Sequence, residues 1–331
     1  MSSPTNSSDE PNGALASIQA VRGALAEQLV GLDSLIERLL VSLLCGGHIL
    51  IEGPPGVAKT RTIKCFADLL AIQFVRIQAT PDLLPADITG TDMYQQQSGE
   101  FSFLPGPLFN QIVLVDEVNR APPKVQSALL EAMGERQITT GGITRKLEEP
   151  FLVAATQNPI EHEGTYPLPE AQLDRFMFFV NLELPGVEHE RLILDQVLKE
   201  AISDGMNTPV KPVADAQTIL QARQQVSDVF VSDAVRDYIV RLVTATRGKG
   251  AGGAHAERVA QAASPRASIN LALASQATAW LDARDFVTPD DVAELAPDIL
   301  CGRIALDYKA RAGGTSTRDV IQALLESTPR V

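Results

Sequence analysis

The pattern of apolar and polar positions divides the chain into a region of alternating strands and helices followed by a helical region. In the first region, short apolar runs with β-branched residues end in glycine, acidic or amide residues, which is typical of buried parallel strands. Three of these runs lie in HILIEG, QIVLVDE and PFLVAATQN. The segment TRTIKCFADLLAIQ follows the first run with apolar residues near helical spacing, so it predicts a helix packed against the sheet.

After VNLELPG, which ends at Gly186, helical periodicity replaces this alternation. The predicted helices lie in VEHERLILDQVLKEAI, SDAVRDYIVRLVTATR, SPRASINLALASQATAWLDAR, TPDDVAELAPDIL and STRDVIQALLES. Several of them begin with Ser or Thr at an N-cap position, and TPDD places a proline and acidic residues in a first turn. The second region therefore predicts a helical lid.

Two segments inside the first region predict β-hairpins. Residues 93–104 alternate around Ser98-Gly99, and RQITTGGITRKL turns at Gly141-Gly142. The first hairpin cannot bury Phe101, Phe103 and Leu104 all against itself, so we expect it to contact a substrate or partner. The alternative is decoration of the sheet edge.

Composition narrows the class of protein. The chain has 331 residues, of which 45% are hydrophobic and 21% charged, enough for about two domains on a prior of roughly 150 residues each. No apolar run approaches the roughly 18 residues of a membrane span. The polar start MSSPTNSSDEPN predicts a disordered tail, no secretion signal and a cytoplasmic location. The three cysteines, which lack metal or disulfide spacing, are expected to be small core residues.

The charge balance also bears on partners. With 28 basic and 41 acidic residues the formal net charge is −13. Because affinity for nucleic acid comes largely from neutralising phosphates, such an acidic chain is a poor general nucleic-acid binder, and a protein partner is expected.

The turn between the first strand and its helix reads GPPGVAKT. In a phosphate-binding loop, backbone N–H groups surround the β-phosphate, a lysine neutralises the β- and γ-oxygens, and the next hydroxyl ligates Mg²⁺. Ala58 replaces the second glycine of that pattern, and its methyl group is tolerable if the residue has helical dihedrals. The predicted nucleotide-binding residues here are Gly53, Pro54, Pro55, Gly56, Val57, Ala58, Lys59, Thr60 and Arg61. The alternative is an ordinary turn with an incidental lysine.

Asp116 and Glu117 follow the second apolar run. Carboxylates there would lie at the carboxyl edge of the sheet, where open α/β folds bind ligands. Beside Mg²⁺ and ATP, Asp116 would hold the metal together with Thr60, and Glu117 would orient the attacking water. The alternative is a solvated strand end.

Asn158 follows the third apolar run. Its amide could lie between the carboxylates and the γ-phosphate and hold the attacking water. The alternative is a turn initiator, since Pro159 follows directly.

Four segments carry a resemblance to a known family: GHILIEGPPGVAKT, VLVDEVNRAPPKVQSALLEAMGERQIT, ATQNPIEHEGTYPLPEAQLDRFM and SPRASINLALASQA. From about residue 15 to the C-terminus, the chain resembles the MoxR family of AAA+ ATPases. The resemblance implies an α/β fold, with a P-loop AAA+ core of parallel sheet and inserted β-hairpins, plus a C-terminal all-helical lid domain. The expected domains are the tail (1–13), the core (14–185) and the lid (186–331).

The same resemblance implies roles that spacing alone does not assign. Arg175 matches the arginine finger, which would reach the γ-phosphate of a neighbouring subunit, and Arg266 matches the second sensor, acting on its own subunit or the next. Val30 and Gly31 match the segment near the adenine. Arg120 is a candidate interface cation, with a solvated surface charge as the alternative.

The resulting expectation is Mg²⁺-dependent ATP hydrolysis by a homo-oligomer, a ring of six, that remodels or matures protein complexes like a chaperone. The resemblance implies a partner with a von Willebrand factor A domain, and no residue identifies the client. Two other functions stay open: a nucleic-acid-translocating motor of the related helicase and chelatase branch, and an ATP-binding scaffold without significant turnover. The charge argues against the first and the complete catalytic set against the second. A monomeric nucleotide kinase would need a phosphate-acceptor pattern, which we do not find.

Overall fold

A computed structural model describes residues 13–96, 99–158, 164–202, 211–247 and 257–330 of the protein. The chain forms two units, one of Met1–Leu168 with Val180–Leu220 and the other of Pro169–Phe179 with Gln221–Val331. The predicted tail lies outside the described residues except for Gly13. The domain boundaries expected after residues 13 and 185 stay predictions.

The helices and strands that the apolar pattern predicts are present in the predicted order, among others that the pattern does not predict. The helices are α1 (Gly13–Gln28), α2 (Asp33–Cys45), α3 (Lys59–Leu69), α4 (Pro85–Thr89), α5 (Pro123–Glu135), α6 (Glu170–Leu173), α7 (Val187–Ile202), α8 (Ala216–Ser227), α9 (Asp233–Ala245), α10 (Pro265–Leu281), α11 (Pro289–Leu300), α12 (Tyr308–Ala312) and α13 (Thr317–Ser327). The strands are β1 (Ile49–Glu52), β2 (Phe74–Gln78), β3 (Gly90–Gln95), β4 (Glu100–Pro105), β5 (Ile112–Asp116), β6 (Gln137–Thr140), β7 (Ile143–Lys146), β8 (Leu152–Gln157), β9 (Phe178–Asn181), β10 (Val259–Gln261) and β11 (Ala305–Leu306).

The central sheet has the strand order β2-β5-β8-β1-β9. The pairs β2–β5, β5–β8 and β8–β1 are parallel. Every residue of β5 is buried, as are the first five residues of β8, which explains why both sequences are almost continuously apolar. The register sets Gln78 opposite Asp116 and Glu52 opposite Gln157, so the polar strand ends gather at one edge.

Both predicted hairpins are present in the first unit. Strand β3 pairs antiparallel with β4, and β6 pairs with β7 across Gly141 and Gly142, which both have positive φ. Ser98 of the first turn lies outside the described residues. Phe101 is 73% exposed, which confirms that the first hairpin cannot bury all its large apolar side chains.

The hairpins also contact each other. The Arg145 guanidinium on β7 lies 3.7 Å from the centre of the Phe103 ring on β4 and 3.9 Å from the Asp92 carboxylate on β3. A cation over a ring face is attracted by the ring quadrupole. These contacts tie the two insertions into one projecting element.

Among the described residues of the second unit, the regular elements are helices, apart from Phe178 and Phe179, which begin β9, and one further exception. Ser232, Ser264, Thr288 and Ser316 cap α9, α10, α11 and α13, and each side chain accepts a hydrogen bond from a backbone N–H of the first turn. The exception is a two-stranded antiparallel sheet of β10 and β11, which the apolar pattern does not predict. The predicted fold class, an α/β core with parallel sheet and inserted hairpins plus a helical C-terminal region, is confirmed.

The prediction that all three cysteines are core residues is wrong for two of them. Cys65 is buried, whereas Cys45 and Cys301 are only partly buried. Cys45 is the last residue of α2, and Cys301 caps the end of α11. Helix ends lie near the surface, where the apolar stripe of the helix stops. In the part of the chain that the structure describes, no helix is long and apolar enough to cross a membrane.

Candidate functional site

The loop between β1 and α3 has a backbone that few residues adopt. Gly56 has φ +87°, and a Cβ on Gly53 would lie 2.8 Å from the Leu182 carbonyl oxygen, so a side chain at either position would be strained or blocked. Ala58, which precedes α3, is left-handed (φ 53°, ψ 21°). The condition of helical dihedrals at Ala58 is therefore not met, and the conformation costs roughly 1–2 kcal/mol for a residue with a Cβ.

Lys59 and Thr60 form the first turn of α3. The Lys59 ammonium bends back over the loop and donates to the Gly53 carbonyl at 2.6 Å and the Pro54 carbonyl at 3.3 Å. Burial lowers the pKa of Lys59, while the negative charges of Asp116, Glu117 and Glu52 oppose that shift. The loop thus carries a partly desolvated cation facing a cluster of carboxylates.

The Asp116 carboxylate is held on both oxygens. Its Oδ1 accepts a hydrogen bond from the Thr156 hydroxyl at 3.1 Å. Its Oδ2 accepts from Arg76 Nε at 2.6 Å and lies 3.4 Å from the Thr60 hydroxyl. Carboxylate and hydroxyl oxygens are ligands that Mg²⁺ prefers, so Asp116 and Thr60 together could hold this ion.

Glu117 has an unusual backbone and a fixed side chain. The residue is left-handed (φ 55°, ψ 49°), and its backbone N–H donates to the Thr156 hydroxyl at 3.0 Å. Its Oε2 accepts from Gln78 Nε2 and from Arg120 Nη1, both at 3.1 Å. Strain of this kind is concentrated at functional sites, and Glu117 lies directly after the end of β5 at the sheet edge.

One cavity collects most of the predicted residues of the first unit. It has a volume of about 340 Å³. Its lining residues are Pro55, Gly56, Val57, Ala58, Lys59, Thr60, Arg61, Arg76, Gln78, Asp116, Glu117, Thr156, Gln157 and Asn158. The structure therefore brings the amide of Asn158 to the same cavity as the lysine and both carboxylates, as its position after β8 predicts.

A smaller cavity of about 110 Å³ adjoins the loop. It is lined by the 28–32 segment, by Gly56, Val57, Ala58 and Arg61, and by residues near α7, which are Glu183, Pro185, Ile193, Gln196 and Val197. Val30 and Gly31 are therefore where a base could lie. Gly31 has φ +74°, and a Cβ there would come within 2.9 Å of the His189 ring.

Arg175 and Arg266 belong to the second unit. Both are close to Asp174, which precedes Arg175 in the chain. The Asp174 carboxylate accepts from the Ser264 hydroxyl at 3.0 Å and from Arg266 Nη1 at 3.4 Å. Arg303 also pairs with Asp174, at 3.1 Å. Burial lowers the pKa of Arg303 to about 10, although Asp174 opposes the shift, so the guanidinium stays charged at neutral pH.

Sequence reasoning missed four residues of the larger cavity, which are Arg76, Gln78, Thr156 and Gln157, and the buried Arg303. Arg76 and Gln78 lie on β2, and the side chain of Thr156 bridges Asp116 to the Glu117 backbone. The signal in the sequence that could have identified Arg76 and Gln78 was that the short apolar run of β2 also ends in a polar residue. Arg120, a candidate interface cation, pairs with Glu117 of its own chain at 3.1 Å, and its role at an interface stays a prediction.

The amino-acid sequence of this chain is similar to those of known proteins. Residues 48–178 match the family described as "ATPase family associated with various cellular activities (AAA)", and residues 253–324 match the AAA lid domain. Chaperone MoxR1 of Mycobacterium tuberculosis is 44% identical over 95% of this chain and 83% of its own length. Protein MoxR of Paracoccus denitrificans is 30% identical over 88% of this chain and 89% of its own length.

A solved structure is also similar. The crystal structure of a candidate ATPase from Cytophaga hutchinsonii superimposes with a TM-score of 0.89 at 42% identity and covers 97% of both chains. At these levels of identity and coverage, the similarity extends over both units. The chain therefore belongs to the MoxR family of AAA+ ATPases.

Proposed function

We propose that this protein hydrolyses ATP with Mg²⁺, as a homo-oligomeric ring of six, and uses the energy to remodel protein complexes. The observation that carries this proposal is the meeting of Lys59, Thr60, Asp116, Glu117 and Asn158 at one cavity on the sheet edge. The donor set fits the expected ligands, since a lysine and a helix N-terminus face oxygen ligands suited to Mg²⁺.

Each residue of the cavity has a distinct proposed task. Lys59 would neutralise the β- and γ-phosphate oxygens after leaving the Gly53 carbonyl, and Thr60 with Asp116 would hold Mg²⁺. When bound, the metal ion supplies charge stabilisation at the phosphate oxygens. Glu117 would orient the attacking water and accept its proton, and Asn158 would hold that water from the other side.

Other residues would complete the site. Gln78 and Arg120 would keep the Glu117 carboxylate in place. Val30 and Gly31 would contact the adenine in the smaller cavity. Arg175 would reach the γ-phosphate on a neighbouring subunit, and Arg266 would act as the second sensor on its own subunit or the next.

The projecting element formed by the two hairpins is the proposed client contact. Its exposed large apolar side chains are Met93, Tyr94, Phe101, Leu104 and Ile143. Exposed apolar groups clustered on one element mark interaction sites more often than isolated ones do. Relatives named chaperones support a protein client, and a partner with a von Willebrand factor A domain and a cytoplasmic location stay predictions.

Partner trapping tests this function. Tagged Glu117→Gln protein would be loaded with ATP in native cell extract and isolated, with Lys59→Ala protein, in which ATP binding is expected to be weaker, as the control. Enrichment of a protein complex only with the Glu117→Gln variant would support remodelling. Enrichment of nuclease-sensitive DNA would instead support the nucleic-acid motor, and an identical set of proteins with both variants would contradict ATP-dependent engagement of a client.

Lys59→Ala should weaken ATP binding itself. The ammonium is the only lysine cation lining the larger cavity among the described residues, so its removal leaves the phosphate charge without that partner. We expect the dissociation constant for ATP to rise by roughly tenfold or more, since a charged hydrogen bond contributes about 1.5–3 kcal/mol. Titration with a fluorescent ATP analogue measures this. Lys146→Ala on β7 is the control, and wild-type affinity in Lys59→Ala would contradict the assignment.

Phe101→Ser should reduce client capture without reducing basal hydrolysis. The side chain is exposed at the hairpin and lies outside the nucleotide cavities. In the Glu117→Gln trap, we expect the amount of co-purified client to fall several-fold, as is common for a buried aromatic anchor of an interface. Tyr308→Ser, at an 81% exposed position of the second unit, is the matched control. Equal loss in both variants would argue against the hairpin as the contact.

A further inference from the structure

The Arg303 side chain is the most completely hydrogen-bonded cation in the second unit's described residues. It is 1% exposed, and each of its five N–H groups has an acceptor. Its Nε donates to the Asp174 carboxylate at 3.1 Å. The Nη1 group donates to the Met177 carbonyl at 3.1 Å and to the Ile299 carbonyl. The Nη2 group donates to the Asp174 carbonyl at 3.3 Å and to the Phe176 carbonyl.

Four of these five acceptors belong to one short segment, residues 174–177. The Asp174 carbonyl belongs to the peptide group that precedes Arg175, and the Phe176 carbonyl belongs to the peptide group between Phe176 and Met177, so one guanidinium is bonded to the backbone on both sides of Arg175. A planar guanidinium donates in fixed directions. Arg303 therefore restrains the backbone before and after Arg175.

The turn that carries Arg303 is shaped for close approach to the same segment. A Cβ added to Gly302 would lie 2.1 Å from the Phe179 ring, so only glycine allows the turn to lie this close. The Arg303 guanidinium is also 5.4 Å from the centre of the Phe179 ring. Burying a cation is unfavourable unless it is paired and hydrogen-bonded, and here the complete set of acceptors offsets that cost.

We propose that Arg303 is a positioning residue for Arg175. It does not touch ATP; it holds the 174–177 segment rigid, so that Arg175 enters a neighbouring subunit's site in one orientation. A displacement of about 1 Å can reduce a rate by roughly 10²-fold, which is why the backbone beneath a finger needs this support. The inference rests on the proposed action of Arg175 across a subunit interface.

Arg303→Lys tests the proposal, because an ammonium keeps the charge but cannot reach all five acceptors. We expect kcat for ATP hydrolysis to fall by roughly 10–100-fold with ATP affinity unchanged. Arg303→Gln is the second variant, since it avoids burying a poorly paired charge. Arg284→Lys is the matched control, as Arg284 pairs with Asp291 at 2.6 Å elsewhere in the same unit; it should keep wild-type turnover.

Mixed oligomers separate positioning from a general loss of structure. An Arg303→Lys subunit has an intact nucleotide site, and a Glu117→Gln subunit has an intact finger, so their mixture should hydrolyse ATP faster than either variant does alone. With random assembly at equal amounts, about a quarter of the sites combine an intact site with an intact finger. The same recovery should occur with Arg175→Ala in place of Arg303→Lys.

The outcomes distinguish this inference from the proposed function. Recovery with both Arg175→Ala and Arg303→Lys supports the inference. Recovery with Arg175→Ala alone overturns it while leaving the shared site intact, as would normal turnover of Arg303→Lys. No recovery with Arg175→Ala contradicts the shared site and the inference with it. Loss of ATP binding in both Arg303 variants would also overturn the inference, because Arg303 would then support the fold as a whole.

Discussion

Arg175→Ala should reduce ATP hydrolysis by roughly 10³–10⁵-fold, the range known for arginine fingers in phosphoryl transfer. The guanidinium would stabilise charge on the γ-phosphate oxygens that is larger in the transition state than in bound ATP. Its removal should therefore lower kcat and leave ATP affinity near the wild-type value. Steady-state hydrolysis together with a direct ATP-binding titration measures both quantities.

Dilution provides an independent check of the same role. If Arg175 completes a neighbouring subunit's site, specific activity per subunit should fall as the wild-type protein is diluted below its assembly concentration. Arg236→Ala is the control for Arg175→Ala and should hydrolyse ATP like the wild-type protein. Arg236 is an exposed arginine of the second unit, and among the described residues it pairs only with Asp233 on its own helix. Normal hydrolysis by Arg175→Ala would remove this residue from the mechanism.

Glu117→Gln should reduce hydrolysis by roughly 10²–10⁴-fold, which is the usual contribution of a general base. Glutamine has nearly the same shape but no negative charge, so it cannot accept a proton from water. The substitution leaves Lys59, Thr60 and Asp116 in place, and we therefore expect ATP to remain bound. Single-turnover hydrolysis measures the chemical step, and retention of ATP on the protein measures binding.

Glu149→Gln is the matched control for that experiment. Glu149 is also a paired carboxylate of the first unit, at 2.7 Å from Arg136, but it lies away from the cavity. It should hydrolyse ATP at the wild-type rate. Equal turnover of Glu117→Gln and the wild-type protein, with and without a captured partner, would favour the scaffold that binds ATP without hydrolysing it.

Mixing Arg175→Ala protein with Glu117→Gln protein should recover ATP hydrolysis. Arg175→Ala lacks a finger but keeps its own site, whereas Glu117→Gln lacks the base but keeps its finger. Activity recovered in the mixture would therefore demonstrate that the two residues meet across an interface and not within one subunit. Each variant alone would remain inactive, so the mixture carries its own controls.

Three strands of the central sheet were predictable because the relevant signals are local. The runs that became β1, β5 and β8 are apolar and β-branched, and each ends in the polar residues that a sheet edge requires. Parallel strands bring their carboxyl ends to one edge. The sequence alone could therefore group Lys59, Asp116 and Asn158, which line one cavity in the structure.

The dihedrals of single residues were less predictable. Ala58 is left-handed where alanine favours the right-handed region, because the loop must turn before α3 begins. Glu117 is left-handed for a similar reason, between the end of β5 and the turn of Val118–Arg120. In both cases the surrounding chain overrides the local preference of the residue.

The sequence by itself determined strands β1, β5 and β8, five helices after Gly186, the phosphate-binding loop and the order of the acidic and amide residues, because each of these depends on neighbouring positions. Only the tertiary structure decided which distant residues meet. Arg76 reaches Asp116 because β2 lies beside β5 in the sheet. The spacing of residues along the chain does not predict which strands are neighbours. Arg303 reaches Asp174 across 129 positions, a contact that exists only when the helices of the second unit pack together.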